Sequence, residues 1–398
     1  MRDRSTAVIF GAGSIGRGFL GQLFTESGYG VVFVEIDRRL VDRLNQQGGY
    51  TLRIVDNDFS QDFPITHVRA VDGRDRQATA DEIVAADLLA TAVGVRALPQ
   101  VAPLIALGLA HRAEAGVETP VNVIVCENLK DASGALAAMV QEHLAEKYHS
   151  YLGEKVGFVE AVIARMVPVL PDTVREEDPT FVVAEPYKIL PVNKKGFKGG
   201  IPGIVGLEPR ENLAAYVDRK LYLHNAGHAI LGYLGYQKGL EYGYEALSEP
   251  HIRPLLDQAL DEASRALVAE HGFEPQTLRA HVADLLVRFA NRPLSDTIFR
   301  LARDPIRKLG PTDRLVGGAR MALRHGIEPD ALSWGIAAGL AFDDPRDPQA
   351  ARLQEMLQKQ GIEAVLARVC GLDPADPLAE MVRKRHRRLS EGALFHER

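Results

Sequence analysis

Lys220, Asn225 and His228 stand together in the run DRKLYLHNAGHAILGYLG. They offer an amine, an amide and an imidazole, groups that can take a proton from an alcohol and steady the oxygen left behind. The run reads as a helix. At roughly 100° per residue, Lys220, His224 and His228 fall at about 0°, 40° and 80° around the axis, and Asn225 near 140°. One broad face then carries all four. The rise from Lys220 to His228 is about 12 Å at ~1.5 Å per residue, so the lysine must reach along the axis. This chemistry needs no metal, and none is implied: Cys126 and Cys370 are the only cysteines, with no CxxC pair and no ligand spacing. An ordinary helix with a polar side would look the same, so the rest of the chain decides.

A second group lies near the N-terminus. Residues 7–10 are an unbroken apolar run, and Gly11, Ala12, Gly13, Ser14, Ile15 and Gly16 follow it directly, before GRGFLGQLFTESG, which reads as a helix. In G-x-G-x-x-G the first glycine permits the tight turn, the second lets backbone approach a pyrophosphate, and the third lets helix and strand pack closely. The N–H groups opening the helix face the phosphates with partial positive charge. Glu35 closes the second strand, VVFVE, at the roughly 20-residue spacing expected of a carboxylate that accepts from the adenosine ribose hydroxyls. It would repel a 2′-phosphate, which favours NAD over NADP. Asp37 rivals it for that role or caps the helix that begins at Arg38, and Arg38 and Arg39 leave a route to NADP. Thr91, Ala92 and Val93 end a further apolar strand, where a loop of small residues can pass over the cofactor or simply make a tight turn.

The elements that must position these groups alternate. After the first strand, turn and helix come the strand at 31–35 and the helix RRLVDRLNQQGG. Residues 50–55 and 65–71 read as strands of an insertion. A core strand at 86–92, a helix LPQVAPLIALGLAHRAEAG and a strand at 121–126 follow, then an apolar segment at 156–169 and a strand at 180–184. Character changes near Lys194, where NKKGFKGGIPGIVG reads as a connection or a binding loop. Beyond it helical periodicity prevails to the end. The fold class expected is α/β, an N-terminal Rossmann-type doubly wound sheet over residues 1–195, joined to a mainly α-helical C-terminal domain over 196–398.

Bulk properties agree with this division. The chain has 398 residues, 46% apolar and 25% charged, enough for two cores. A net charge of −6 argues against nucleic acid as the main partner. RKRHRR at 383–388 reads as a solvated or frayed helix end. The sequence runs almost at once into a strand and holds no apolar stretch of roughly 18 residues, so neither a secretory signal nor a membrane span is expected. Cytoplasmic localisation follows, with two reduced thiols. Oligomeric state has no signature here.

Several segments together resemble one family. GAGSIGRGFLG, TAVG, CEN at 126–128, VGFVE at 156–160, GFKG at 196–199, RKLYLHNAGHAILGYLG and RKLGPTDRL are similar, in the same order, to the polyol-specific long-chain dehydrogenases, on the branch that works on mannitol 1-phosphate. The resemblance implies reversible, metal-independent, NAD-linked oxidation of D-mannitol 1-phosphate to D-fructose 6-phosphate. It makes Lys220 the general base, Asn225 and Asn128 the amides of an oxyanion hole, and His228 the group that orients the hydroxyl. Asn128 would otherwise cap a helix, and His224 is expected to be packed or superficial.

A phosphorylated substrate calls for cations, and Lys198, Arg307 and Lys308 are the candidates, beside Lys194, Lys195 and Arg314. Trp334 belongs to the core. Two departures from the family stand out. Ala164-Arg165 replaces an Asp-Arg pair, and AEPYKILPVNKKGFKGG is longer than its counterpart. The alternatives are the same chemistry on an unphosphorylated hexitol or a hexuronate and, more remotely, a non-catalytic NAD-binding regulator.

Overall fold

Short strands with apolar residues on both sides must be covered on both faces. The computed structural model, which describes residues 4–392 and 394, arranges them so. The strands are β1 (Thr6–Phe10), β2 (Gly30–Glu35), β3 (Gly49–Val55), β4 (Ser60–Thr66), β5 (Val68–Asp72) and β6 (Leu88–Thr91). They continue with β7 (Val121–Val125), β8 (Val156–Glu160), β9 (Val182–Ala184), β10 (Leu190–Asn193) and β11 (Leu207–Arg210). Six of them form a parallel sheet in the order β5-β2-β1-β6-β7-β8.

Alternation assigns the faces. Ala7, Ile9, Val31 and Phe33 join one apolar cluster with Phe19 and Leu23. Val8, Phe10, Val32 and Val34 join another with Leu98 and Ile105. The chain reverses its direction of travel across the sheet between β1 and β6. In doubly wound sheets that switch point opens the crevice where ligands bind. The glycine-rich turn and residues 91–93 leave the sheet there.

Two expectations change. Residues 65–71 are not one inserted strand, because His67 takes a positive φ of 59° and breaks the run. Its first part ends β4, and the remainder is β5, an edge strand of the main sheet parallel to β2. Residues 180–184 supply β9, which leaves the main sheet and pairs with β3, giving a separate sheet in the order β4-β3-β9. The lysine- and glycine-rich connection is bracketed by β10 and β11, which pair in parallel. The chain divides into two compact units, Met1–Leu213 and Ala214–Arg398. The sequence boundary at 195/196 thus falls inside the first unit, where the β10–β11 pair holds the connection.

The second unit is helical. Ile252–His271 ends at Gly272 with φ 70°, a left-handed C-terminal cap. Asp330–Leu340 is buried on every side from Ala331 to Leu340, Trp334 included. Its first N–H groups, on Ala331 and Leu332, donate to the buried Glu262 carboxylate at 2.9 and 3.1 Å. The basic run at 383–388 is not a frayed end: it lies within Pro377–Ser390, and Arg385 and Arg388 sit over the Trp334 ring at 4.9 and 5.4 Å. The basic side chains cover the indole with their planar faces. No helix among the described residues is long and apolar enough to cross a membrane.

Candidate active site

The lysine run is helical but not regular. Leu213–Arg219 and Ala226–Gln237 are α-helix, and Lys220–Asn225 between them is a π turn. The Ala226 N–H donates to the Leu221 carbonyl, five residues back. An extra residue in the turn removes about 100° of rotation from everything beyond it. Lys220 and His228 therefore come within about 20° of one line, where an uninterrupted α-helix sets them about 80° apart, and Asn225 moves to about 40°. The broad face expected from the sequence becomes a narrow one. Lys220 and His228 keep partial exposure, whereas His224 and Asn225 are 6% and 9% exposed.

The electrostatics favour the neutral forms along this line. Burial, and then Arg314, bring the Lys220 amine down to about 8, with Asp313 pulling the other way. His228 is held well below the usual imidazole range by burial and by Arg300 and Lys308. Its ring lies 4.3 Å from Phe289 and 4.7 Å from His224, centroid to centroid. His224 is likewise neutral through burial and its Nδ1 has no hydrogen-bond partner, in keeping with a packed residue. Above about pH 8 a free amine, beside a neutral imidazole and a buried amide, can accept a proton and donate to an oxygen.

In the first unit, Gly11 has φ 94°, and a Cβ there would lie 2.6 Å from the Ala92 carbonyl oxygen. A Cβ on Gly13 would meet nothing within 4 Å, so the turn keeps an open side. That open side, at the switch point and against a helix start, fits a pyrophosphate. Glu35 turns its carboxylate onto the turn: Oε2 accepts from Ala12 N at 2.9 Å, and Oε1 from Ile36 N and Asp37 N at 2.7 and 3.1 Å. A carboxylate has about four acceptor positions, so the protein takes most of them and leaves a ribose hydroxyl the remainder. Asp37 accepts from Arg39 N and Leu40 N and caps Arg38–Gln47, the plainer of its two readings.

Thr91, Ala92 and Val93 lead to Gly94, which has φ 83°. Glu127, 7% exposed, accepts from Val93 N at 2.9 Å and Gly94 N at 2.8 Å. Burial pushes its carboxyl up, and the two N–H groups oppose that. Sequence reasoning quoted Glu127 inside CEN but gave it no task. Its neighbour Asn128 is exposed. Glu127→Ala strips the loop of a charge-assisted anchor for two N–H groups, a loss of about 2 kcal/mol. The expected result is an NADH affinity weaker by up to about 30-fold, read by fluorescence titration. An unchanged affinity would show that the loop holds itself.

Two family models match the chain, the mannitol dehydrogenase Rossmann domain over residues 5–206 and the mannitol dehydrogenase C-terminal domain over residues 212–390. The chain belongs to the mannitol dehydrogenase family. It is accordingly an NAD-dependent polyol dehydrogenase, an oxidoreductase. The mannitol-1-phosphate 5-dehydrogenase of Brevibacillus brevis is 40% identical over 390 residues, covering 98% of this chain and 100% of that protein. The enzyme of the same name from Bacillus licheniformis is 38% identical over 377 residues, 94% and 98% of the two chains. Among solved structures, Pseudomonas fluorescens mannitol 2-dehydrogenase, a ternary complex with NAD and D-mannitol, shares the fold with a TM-score of 0.79 at 19% identity, over 99% of this chain and 93% of that one. A substrate-free D-sorbitol dehydrogenase gives 0.79 at 17%, over 99% and 97%.

The three candidate phosphate ligands differ. Lys198 is exposed, and its backbone N–H and carbonyl are both bonded to the Asn122 side chain, at 2.8 and 3.1 Å. Arg307 is half exposed and paired with Asp304 at 2.5 Å and Asp313 at 3.5 Å. Lys308 is 5% exposed and donates to the Leu301 carbonyl. Burial first, and then Arg314 and Arg307, hold its amine well below the usual lysine range. Arg300, paired with Asp296 at 2.8 Å, was not singled out from the sequence. The i,i+4 spacing of the two was the available signal. Arg165, at the departure from the family pattern, is a buried tie: Nε donates to the Glu185 carbonyl at 2.8 Å and Nη1 to Gln22 at 2.7 Å. No group of three or more His, Cys, Asp or Glu that could hold a metal occurs among the described residues.

Proposed function

We propose that the protein oxidises D-mannitol 1-phosphate to D-fructose 6-phosphate, reversibly, with Lys220 as general base. The observation that carries this reading is the buried Lys220 amine, brought down to about 8 and aligned with His228 by the π turn. NAD, when bound, supplies the hydride acceptor. Lys220 Nζ takes the hydroxyl proton as the carbon–oxygen bond gains carbonyl character. The Asn225 side-chain N–H donates to that oxygen while negative charge collects on it, and Asn128 supplies a second amide. His228, neutral, hydrogen-bonds the reacting hydroxyl and sets its direction. The turn at residues 11–16 and the loop at 91–93 hold the dinucleotide, with Glu35 on the ribose side.

Relatives at 38–40% identity over nearly the whole chain carry the name mannitol-1-phosphate 5-dehydrogenase, which supports the phosphorylated substrate. Lys198, Arg307 and Lys308 are the cations from which its phosphate partners are drawn. Both cysteines are buried and unpaired, in keeping with action in the cytoplasm. NADH absorbance on a panel of mannitol 1-phosphate, mannitol and fructuronate tests the reading. Mannitol 1-phosphate is expected to give the highest kcat/KM by at least about 100-fold, since an analogue without the phosphate forgoes its pairing with the site's cations. Preference for either unphosphorylated compound transfers the assignment to a hexitol or hexuronate enzyme. No turnover on any of the three, with NADH still bound, favours a regulator.

A further inference from the structure

The helix after the glycine-rich turn opens as a π turn, Gly16–Leu20, before continuing as Gly21–Glu26. The Gly21 N–H donates to the Gly16 carbonyl, five residues back. A regular helix would give that N–H to the Arg17 carbonyl, which the wider turn releases. A buried carbonyl must find another donor, and Tyr50 of β3 provides it: the hydroxyl donates to the Arg17 carbonyl at 2.7 Å, fully inside the protein. Gly21 makes room for this bond, since a Cβ there would lie 2.1 Å from the Tyr50 oxygen.

The Arg17 side chain then runs back beneath the turn. Nε donates to the Ala12 carbonyl at 2.5 Å, and Nη1 donates to the Pro179 carbonyl at 2.7 Å. Arg17 is only 9% exposed. The Ala12 N–H is held by Glu35 at 2.9 Å, so the peptide groups on both sides of Ala12 are fixed by ionised side chains. The Arg17 anchors outside the turn, Tyr50 and Pro179, belong to β3 and to the approach to β9. The small sheet β4-β3-β9 therefore braces the turn through Arg17.

We propose that Arg17 and Tyr50 are cofactor-positioning residues: Tyr50 secures the Arg17 main chain at the π turn, and the Arg17 side chain fixes the Ala12 peptide, so that the N–H groups of the turn stay aimed at the pyrophosphate. This rests on the reading of residues 11–16 as the dinucleotide turn. Neither residue touches the cofactor in this scheme. Their effect is on how much ordering the turn must undergo when the dinucleotide binds.

The test is Tyr50→Phe, which removes one oxygen, beside Arg17→Lys, which keeps the charge but cannot bond two carbonyls in a fixed fork. NADH affinity by fluorescence and the KM for NAD are expected to weaken about tenfold in Tyr50→Phe and more in Arg17→Lys. The KM for the polyol should hold, and kcat at saturating NAD should fall far less. The double variant should be no worse than Arg17→Lys alone, because both act through one strut. An NADH affinity within twofold of wild type in both single variants overturns the proposal. So does an equal loss in kcat and in both KM values, which would mark general damage to the fold. If the wild-type protein binds no NADH, the reading of the turn itself fails, and that result is distinct from either.

Discussion

Replacing Lys220 by Met is expected to lower kcat for polyol oxidation by about 10²- to 10⁴-fold, the range for loss of a positioned general base, while NADH binding stays near wild type. The wild-type pH profile should show the same group. Oxidation needs the free amine, so its rate rises with pH through about 8, where burial and Arg314 set the Lys220 titration. Reduction needs the ammonium and falls over the same interval. Lys220→Met should abolish both inflections, and a variant that keeps them would remove Lys220 from the role.

Stability depends on the same group. The folded-state pKa of about 8 lies below the ordinary lysine value of 10.5, so the unfolded chain binds more protons between the two. Stability therefore climbs as pH rises across that window and is lowest, with respect to this group, below about pH 8. Partial solvent access reduces the full linkage value, leaving about 1–3 kcal/mol. At pH 7 Lys220→Met should unfold at a higher denaturant midpoint than wild type even as it loses activity. A lower midpoint would show that packing of the amine stem outweighs its charge.

Asn225→Ala should cost about 10²- to 10³-fold in kcat, the usual loss for one donor to a developing oxyanion. Asn225→Asp is the sharper test, since it keeps the size and puts an acceptor, charged when ionised, where a donor is needed. It is expected to lose at least as much as the alanine variant, with NADH affinity unchanged. If Asn225→Asp retains more than a tenth of wild-type kcat, the amide is not donating to the reacting oxygen. Asn128→Ala should follow the same pattern if it supplies the second amide.

What could be read from the residues alone was what depends on local pattern. Residues 7–16 declare a buried strand, a turn and a helix start, because apolar continuity and glycine spacing act over a few residues. Lys220, Asn225 and His228 declare a shared face for the same reason. The π turns at Gly16–Leu20 and Lys220–Asn225 were not legible, since helical periodicity assumes a uniform rotation and a single extra residue is decided by distant partners such as Tyr50. Glu127 was hidden because its partners, Val93 N and Gly94 N, are backbone groups on another loop. The edge strand β5 was misassigned because its break at His67 is a backbone conformation with no glycine to announce it.

The buried helix Asp330–Leu340 carries a consequence for assembly. Enclosed on all sides and with its first amides held by Glu262 of a neighbouring helix, it has no solvated form of its own. Ala226–Gln237, just beyond Lys220, rests on it so closely that a methyl at Gly335 would sit 2.9 Å from Ile230, and one at Gly339 2.9 Å from Tyr233. Neither helix can keep this packing without the other, so the two are expected to order together.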